Sequence, residues 1–397
     1  MSKKNETGYL SAKESRRISR ENRRITDQLE KRHKRKNVPE SEYLTQMKDP
    51  NNALEIENLH TYFFSDVGTV RAVDGVSFDV PIGKTVGVVG ESGCGKSVTS
   101  LSIMQLLQRP QGQIVDGEIR LNLGNGKCYD ITKTPTERMQ NLRGNYMSMI
   151  FQEPMTSLNP VFRIGAQIDE VIALHDGEGK SKEDIKKRTV EMLEMVGIAN
   201  SQGVYEMYPH ELSGGMRQRV MIAMALSCNP KLIIADEPTT ALDVTIQAQI
   251  LELLKEMRVK YNLTIILITH DLGVVANIAD RVAVMYAGDI VEIGTSDEIY
   301  YDPRHPYTWA LLSSMPQMGV KGEDLFNIQG TPPNLFTEIH GDAFAPRNPL
   351  ALKIDFVKRP PYFDVSTTHR AKTWLLDPRA PKIEPPAAVR MLQEEGK

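Results

Sequence analysis

The sequence predicts an α/β fold around a mostly parallel core sheet, and three observations support it. First, residues 85–89, 232–235 and 263–269 form short apolar runs rich in β-branched side chains. Such runs are typical of strands that are buried on both faces of a parallel sheet. Second, apolar residues at helical spacing follow the first two runs. Third, the last two runs end abruptly in polar or charged residues, as strands do where a parallel sheet carries its functional groups.

The composition is that of a globular protein. The 397 residues suffice for two or three domains, and 40% hydrophobic and 25% charged residues are ordinary values. No apolar run approaches the roughly 18 residues of a membrane span, and the first residues lack the apolar core of a signal peptide. The three cysteines follow no disulfide or zinc spacing. We therefore expect a cytosolic, reducing location.

Residues 1–50 form a basic N-terminal extension. Residues 1–36 hold thirteen Lys and Arg but only five Asp and Glu, and their apolar residues are too sparse for a core-facing stripe. One interpretation is a disordered extension or a solvated helix, as most charge runs are. The other is contact with an anionic partner, and we favour lipid over nucleic acid.

From residue 54 the pattern changes to short apolar strands separated by turns. This predicts an antiparallel sheet ahead of the first parallel strand. The predicted strands cover residues 54–59, 62–64, 70–73 and 76–80.

Residues 90–97 follow the first parallel strand and fit the phosphate-loop pattern G-x-x-x-x-G-K-[ST] in full. Glycines let the backbone curl so that N–H groups point inward, and the start of the next helix adds partial positive charge. In such a loop Lys96 reaches the β- and γ-phosphates, and Ser97 is a ligand of Mg²⁺. The alternative, a chance match in a glycine-rich turn, is disfavoured by the flanking strand and helix. The residues predicted to contact a nucleotide are Gly90, Glu91, Ser92, Gly93, Cys94, Gly95, Lys96, Ser97 and Val98.

Phe63 and Cys94 are two further side chains of interest near this loop. The Phe63 ring can stack on adenine, although a plain core aromatic is the simpler interpretation, and Tyr62 or Phe64 can serve instead. Cys94 occupies a variable position of the loop. Because it lies close to phosphate, we expect thiol reagents to inhibit the protein and ATP to protect it.

Polar side chains follow three other predicted strands, at residues 147–151, 232–235 and 263–269. Gln152 can touch Mg²⁺ or the attacking water, while Asp236 can hold hydrated Mg²⁺ and Glu237 can act as a general base. His270 can donate a hydrogen bond to a γ-phosphate. Solvated carboxylates and a structural histidine are the alternatives, and the phosphate loop in the same chain makes both less favoured.

A second helix start carries candidate anion-binding groups. Residues 162–210 have apolar stripes at helical spacing and are predicted to be largely helical. They lead to Ser213, a good N-cap, and to Gly214 and Gly215 at the start of another helix. An ordinary capped helix is the alternative. Asp243 begins the helix that follows the two carboxylates.

The composition becomes proline-rich beyond residue 300. Prolines recur from Pro306 to Pro386 with no cysteine among the intervening residues. This spacing is compatible with a small irregular domain or with an extension that wraps around the preceding fold.

In this order, the motifs resemble those of the nucleotide-binding subunits of ABC transporters. The matching features are the A-loop at Phe63, the Walker A loop from Gly90 to Ser97, the Q-loop at Gln152, the signature from Leu212 to Gln218, the Walker B motif from Leu232 to Glu237, the D-loop at Leu242 and Asp243, and the switch histidine His270.

The resemblance implies a P-loop NTPase of ABC type at residues 51–304. This fold would have a mostly parallel core sheet, an N-terminal antiparallel β subdomain and a helical signature subdomain at about 153–228. A basic N-terminal extension at 1–50 and a small irregular C-terminal extension at 305–397 would flank it.

Further motifs resemble the oligopeptide/dipeptide importer branch of this family. They are Gly90 to Gly93, Asn159-Pro160, Tyr286 to Gly288, His305 to Thr308 and Ile328 to Pro333. Many members of this branch carry cysteines able to bind an iron–sulfur cluster beyond the last motif. Here Asp342, Asn348 and Asp355 stand where cysteines would fall. Because such clusters require thiolates, we predict none.

The resemblance also implies a mechanism and partners. ATP and Mg²⁺ would bind between one chain's phosphate loop and the partner's signature, contacted by Ser213, Gly214, Gly215, Gln218 and Asp243. The expected partners are two integral membrane permease subunits, a second similar ATPase chain rather than an identical one, and indirectly an extracytoplasmic peptide-binding protein. The chain would lie at the cytoplasmic face of the membrane. Its catalytic residues would be Glu237, His270, Gln152 and Lys96, and its metal ligands Ser97, Gln152 and Asp236.

Two alternatives stay open. The same machinery can import nickel or another small solute, because substrate choice lies with other subunits. In another class, an ABC ATPase that does not transport can act on ribosomes or DNA. Such proteins usually carry two motif sets or a long coiled coil, whereas this chain has one set and no sustained heptad pattern, so no nucleic-acid partner is expected.

Overall fold

The computed structural model describes residues 11–153, 157–176, 179–240, 242–315 and 328–395. The first ten residues of the predicted basic extension, and residues 154–156 and 177–178 of the predicted helical subdomain, lie outside the described residues. In chain order the strands are β1 (Leu44–Thr45), β2 (Asn52–Ser65), β3 (Gly68–Pro81), β4 (Thr85–Val89), β5 (Gly112–Gly124), β6 (Lys127–Asp130), β7 (Met147–Ile150), β8 (Leu232–Asp236), β9 (Thr264–Thr269), β10 (Arg281–Tyr286), β11 (Asp289–Thr295), β12 (Phe363–Asp364) and β13 (Arg370–Ala371).

The described residues also form α-helices. In chain order they are α1 (Ala12–His33), α2 (Lys96–Ile103), α3 (Thr136–Leu142), α4 (Ile164–Asp176), α5 (Lys182–Met195), α6 (Ser201–Glu206), α7 (Gly214–Leu226), α8 (Val244–Tyr261), α9 (Leu272–Ile278), α10 (Ser296–Tyr301), α11 (Pro306–Ser313) and α12 (Ala387–Glu395). Within the described ranges, none of these helices is both long and apolar enough to span a lipid bilayer.

The core sheet has the order β12-β13-β11-β10-β4-β9-β8-β7. Strands β10, β4, β9, β8 and β7 pair in parallel, and every residue of β4, β8 and β9 is buried. Burial on both faces explains why these strands are continuous apolar runs in the sequence. The predicted α/β fold with a mostly parallel core sheet is confirmed. Its parallel strands all end at one edge, where the loops that follow β4, β7, β8 and β9 lie.

The second sheet is antiparallel, with the order β1-β6-β5-β2-β3. The four short strands that the sequence indicates are joined in the structure into β2 and β3, each 14 residues long. Irregularities in their pairing, such as those around Leu59, interrupt the alternation of buried and exposed side chains. The sequence pattern therefore looked like separate strands although the backbone pairing continues.

Helices α4 to α7 form a helical unit between β7 and β8. Ile164, Ile168 and Ile172 lie one turn apart on α4 and are fully buried, as the helical spacing predicts. The predicted helix after the phosphate loop is shorter than its apolar spacing suggests. It ends at Ile103, with Met104 as its C-cap.

The N-terminal extension forms a docked helix rather than a free one. Asn22 on α1 is 8% exposed, and its Nδ2 donates hydrogen bonds to the carbonyl oxygens of Ser65 (2.8 Å) and Gly68 (3.3 Å). Thr69 Oγ1 donates to Asn22 Oδ1 over 3.2 Å. These contacts attach α1 to the turn between β2 and β3. Polar contacts hold this helix. Docking of this kind needs no apolar stripe, so the sequence pattern did not indicate it.

The C-terminal region wraps around the core. All eight residues of α11 are buried, and β13 pairs with β11 so that the core sheet continues into the last part of the chain. Two 3₁₀ turns, Ala345–Arg347 and Lys353–Phe356, lie between these elements. The pairing with the core sheet favours an extension of the preceding fold over a separate domain.

Candidate active site

The phosphate loop joins β4 to α2 and is closely packed. Gly95 caps α2 with φ +107°, a left-handed conformation that favours glycine. A Cβ on Gly95 would lie 2.3 Å from the carbonyl oxygen of Ala72 on β3. Only glycine therefore fits at this point. Gly288 N donates to the carbonyl oxygen of Cys94 over 2.8 Å and also holds the loop.

Lys96 points back across the loop. Lys96 is 4% exposed, and its Nζ donates hydrogen bonds to the carbonyl oxygens of Gly90 (2.7 Å) and Glu91 (3.0 Å). The ammonium thus lies inside the concave side of the loop, where phosphate oxygens bind in loops of this pattern. The predicted contact of Lys96 with the β- and γ-phosphates stays a prediction.

Ser97 and Asp236 meet at the end of the core sheet. Ser97 Oγ donates to Asp236 Oδ1 over 3.0 Å, and Ser100 Oγ donates to Asp236 Oδ2 over 3.2 Å. Burial raises the pKa of Asp236, and these two hydrogen bonds oppose the shift. A hydroxyl and a buried carboxylate are the oxygen ligands that Mg²⁺ prefers. The residues present therefore fit a magnesium ion.

Glu237 is held by side chains from three other positions. Gln152 Nε2 donates to Glu237 Oε2 over 2.9 Å, and Thr240 Oγ1 donates to the same oxygen over 2.9 Å. His270 Nδ1 lies 3.5 Å from Glu237 Oε1. The structure thus brings together Gln152, Glu237 and His270, as the strand ends predict. Thr240 was not predicted from the sequence, where its only signal is its place three residues after Glu237.

The backbone of Glu237 is unusual. Its φ is +46°, which is rare for a residue other than glycine, asparagine or aspartate, and its N–H donates to the carbonyl oxygen of Ile268 over 2.9 Å. Strained backbone conformations of this kind concentrate at functional sites. The bend turns the Glu237 side chain toward Gln152 and His270.

Phe63 is placed beside the phosphate loop by the antiparallel sheet. It pairs with Val70, and Ala72, which packs against Gly95, lies two residues along the same strand. Phe63 is half-buried. Tyr62 instead donates its hydroxyl hydrogen to Asp74 over 2.7 Å, and Phe64 is 7% exposed. Phe63 thus differs from Tyr62 in making no side-chain hydrogen bond and from Phe64 in being less buried, and its ring lies against Gly112.

The signature residues lie on a separate surface. Ser213 and Gly214 are exposed, and Ser213 caps α7 by accepting a hydrogen bond from Met216 N at 3.3 Å. Asp243 caps α8 in the same way, accepting from Ile246 N at 3.0 Å. A Cβ on Gly215 would lie 2.8 Å from Ile246, so the two helix starts are in contact. Across the described ranges, no hydrogen bond joins these signature and cap residues to residues 90–97.

Three predicted contact residues are less accessible than expected. Gln218 is 1% exposed, on the inner side of α7, so its side chain does not share the surface of Ser213. Val98 packs against the core with its side chain. Cys94 is 4% exposed, and burial raises the pKa of its thiol. Because the reactive thiolate is disfavoured and the sulfur is covered, the expectation of ready inhibition by thiol reagents is not supported.

The three residues that stand at cysteine positions are buried and bonded to the main chain. Asp342 Oδ1 accepts from Phe344 N (2.9 Å), Asn348 Oδ1 from Leu350 N (2.9 Å) and Asp355 Oδ2 from Leu352 N (2.6 Å). Their oxygens thus stabilise local turns. The absence of an iron–sulfur cluster stays a prediction.

Comparisons with known proteins agree with this geometry. Family profiles described as "ABC transporter" and "Oligopeptide/dipeptide transporter, C-terminal region" match residues 73–240 and 291–354. The oligopeptide transport ATP-binding protein OppD of Bacillus subtilis (strain 168) is 58% identical over 338 residues, which cover 85% of this chain and 92% of that protein. The dipeptide transport ATP-binding protein DppD of Lactococcus lactis subsp. cremoris is 53% identical over 332 residues, covering 84% and 93%.

Solved structures agree as well. The dimeric ATP-binding cassette MJ0796 in a post-hydrolysis state with ADP and Pi is 26% identical, with a TM-score of 0.54 over 61% of this chain and 98% of that one. CbiO1 of Clostridium perfringens, part of the transporter complex cbiONQ, is 26% identical, with a TM-score of 0.53 over 64% and 92%. The chain therefore belongs to the oligopeptide/dipeptide branch of the ATP-binding subunits of ABC transporters, a family of ATPases.

Proposed function

We propose that this chain hydrolyses ATP to power the import of oligopeptides through a multisubunit transporter. The observation that carries the proposal is the position of Glu237. Its carboxylate lies between Gln152 and His270, at the sheet edge that also holds Ser97 and Asp236. The names of the relatives OppD and DppD support peptides as the solute.

The proposed roles follow from where each side chain lies. Phe63 stacks on adenine, and Lys96 with the N–H groups of the loop binds the phosphates. Ser97, Asp236 and Gln152 would hold Mg²⁺, which would neutralise charge on the phosphate oxygens. Glu237 orients and deprotonates water, and His270 donates a hydrogen bond to the γ-phosphate.

We further propose that two ATPase chains face each other, so that Ser213 and Gly215 act on the partner's nucleotide. The exposure of Ser213 and Gly214 supports this, since the start of α7 is free to bind an anion from another chain. Asp243 lies beside them and would take part in the same contact. The partner is a similar but different ATPase chain, because importers of this branch often use two.

The proposed location is the cytoplasmic face of the membrane, with two permease subunits as partners and an extracytoplasmic binding protein as an indirect one. The basic face of α1 contacts anionic lipid in this proposal. Arg16, Arg17, Arg20, Arg23 and Arg24 are exposed on it, and none has an ion pair within the described ranges. Such a helix adheres to a negatively charged leaflet through electrostatic attraction.

Uptake by cells tests the proposed function. Cells that carry the unchanged chain should accumulate labelled oligopeptides, and cells that lack it or carry Lys96→Ala should not, although the complex still assembles. Unchanged peptide uptake together with lost nickel uptake would redirect the assignment to another solute. Copurification with ribosomes or DNA instead of two membrane subunits would contradict transport altogether.

A further inference from the structure

Glu91, the second residue of the phosphate loop, is held by two side chains from the C-terminal region. Arg347 donates from Nη1 to Oε2 (2.5 Å) and from Nη2 to Oε1 (3.0 Å), which is a bidentate ion pair. The main-chain N–H of Glu91 donates to the hydroxyl oxygen of Tyr307 over 2.8 Å. Both the carboxylate and the N–H of Glu91 are therefore used within this chain.

Arg347 itself is rigidly placed. Its side chain is 4% exposed, and its remaining donors bond to the carbonyl oxygens of Gln329 (2.9 Å) and Ile328 (3.3 Å) and to the hydroxyl of Tyr286 (3.2 Å). Tyr307 is rigidly placed too, because the rings of Tyr286, Tyr307 and Phe344 pack together with centroids 4.5 to 5.3 Å apart. A guanidinium that five acceptors fix in place can act as a fixed anchor for a loop.

The anchored peptide group is one that Lys96 contacts. The peptide bond between Gly90 and Glu91 offers its N–H to Tyr307, and its carbonyl oxygen accepts from Lys96 Nζ over 2.7 Å. The orientation of this single peptide plane is thus set from both ends. Phosphate binding needs the loop N–H groups to be preoriented, and an unanchored loop would lose conformational freedom when it binds.

We propose that Arg347 and Tyr307 are positioning residues for the phosphate loop, and that through Glu91 the C-terminal region sets the affinity of the ATP site. The proposal rests on ATP binding at residues 90–97. It goes further in assigning to the C-terminal region a role in nucleotide affinity. A purely structural role for the ion pair is the competing explanation, since a partly buried ion pair can contribute little net stability.

Equilibrium titration of the full chain with a fluorescent ATP analogue and Mg²⁺ tests the proposal. We expect Arg347→Met to weaken binding roughly tenfold, as the loss of one bidentate charged contact would. Arg347→Lys should weaken it less, because lysine keeps the charge but cannot form both bonds. The double variant, Glu91→Gln with Arg347→Met, should bind the ATP analogue no more weakly than either single variant.

Arg359→Met is the matched control. Arg359 also belongs to the C-terminal region and forms an ion pair with the antiparallel sheet, donating to Asp74 over 2.7 Å, but it does not contact the phosphate loop. We expect it to lower the melting temperature without changing ATP affinity. Hydrogen exchange of residues 90–97 should accelerate in Arg347→Met and not in Arg359→Met.

Two results would overturn the proposal. One is an Arg347→Met chain that folds and binds ATP as tightly as the unchanged chain. The other is strict additivity of the Glu91 and Arg347 changes. If Arg347→Met does not fold, Tyr307→Phe removes only one hydroxyl, and unchanged affinity and loop exchange in that variant would also contradict the proposal. Failure of the unchanged chain to bind ATP would instead reject the site itself.

Discussion

Gln152 and Glu237 end neighbouring strands and are joined by a hydrogen bond of 2.9 Å from Nε2 to Oε2. Gln152 lies where the chain leaves the core sheet for the helical unit that begins at α4. The hydrogen bond therefore joins the loop that follows β7 to the carboxylate that we propose as the base.

Glu237→Gln should abolish hydrolysis while ATP still binds. The amide keeps an oxygen that can accept from Gln152, but it cannot take a proton, so we expect a loss of about 100-fold or more in turnover. Phosphate release by the assembled complex measures this loss. Glu252→Gln, an exposed change on α8, is the control and should leave turnover unchanged. Hydrolysis at the unchanged rate in Glu237→Gln would remove Glu237 from the role of base.

Stability should depend on pH through Asp342. Burial raises the pKa of this carboxyl to about 7, assisted by the charges of Asp355 and Asp289. Because the folded-state pKa lies above the unfolded value of about 3.9, the folded state binds the proton more tightly. This contribution to stability is full below about pH 4 and is lost as pH rises toward 7.

Asp342→Asn should flatten that dependence. The amide oxygen can still accept from Phe344 N, while the titrating charge is gone. We expect the melting temperature of the variant, relative to the unchanged chain, to rise between pH 5 and pH 7.5. Asp364→Asn, at an exposed position, serves as the control. Parallel pH profiles for Asp342→Asn and the unchanged chain would contradict the assignment.

Asn22→Ala should release α1 from the turn between β2 and β3. The change removes the Asn22 donor to the carbonyl oxygen of Ser65, while Gly68 O keeps its bond from Ser65 Oγ, so we expect a cost of about 1 kcal/mol. Faster hydrogen exchange in α1 and in residues 65–69 is the expected result. Arg20→Ala, which alters an exposed side chain of the same helix, should leave exchange unchanged. Equal exchange in both variants would mean that other contacts hold the helix.

The exposed arginines of α1 should bind anionic vesicles. We expect the full chain to sediment with phosphatidylserine-containing vesicles at low salt and to dissociate as salt is raised, since each basic residue contributes about 1 kcal/mol near such a surface. Replacing the five exposed arginines from Arg16 to Arg24 with glutamine should remove this binding. Binding to uncharged phosphatidylcholine vesicles, or binding that survives the replacements, would refute the electrostatic contact.

The fold and the site could be predicted from the sequence where the local residue pattern agrees with the burial of the strand. Strands such as β4 and β8 are fully buried, so their apolar runs were recognisable, and parallel pairing then places Glu237 and His270 at one edge. Contacts between distant segments were not predictable. Asn22 docks α1 through polar bonds, and Arg347 reaches Glu91 across 256 positions of sequence. Neither contact leaves a periodic signal, because each depends on how the chain folds back on itself.

The pairing of β13 with β11 has a consequence for chimeric proteins. Because about the last quarter of the chain contributes edge strands to the core sheet and the fully buried helix α11 to its interior, it is part of one fold with the ATPase core. A chimera that exchanges this segment between related ATPases has to be cut near residue 305. Separating the two pieces there would expose apolar surface on both of them. A fragment ending there would be an incomplete fold, and its behaviour would say little about what the segment regulates.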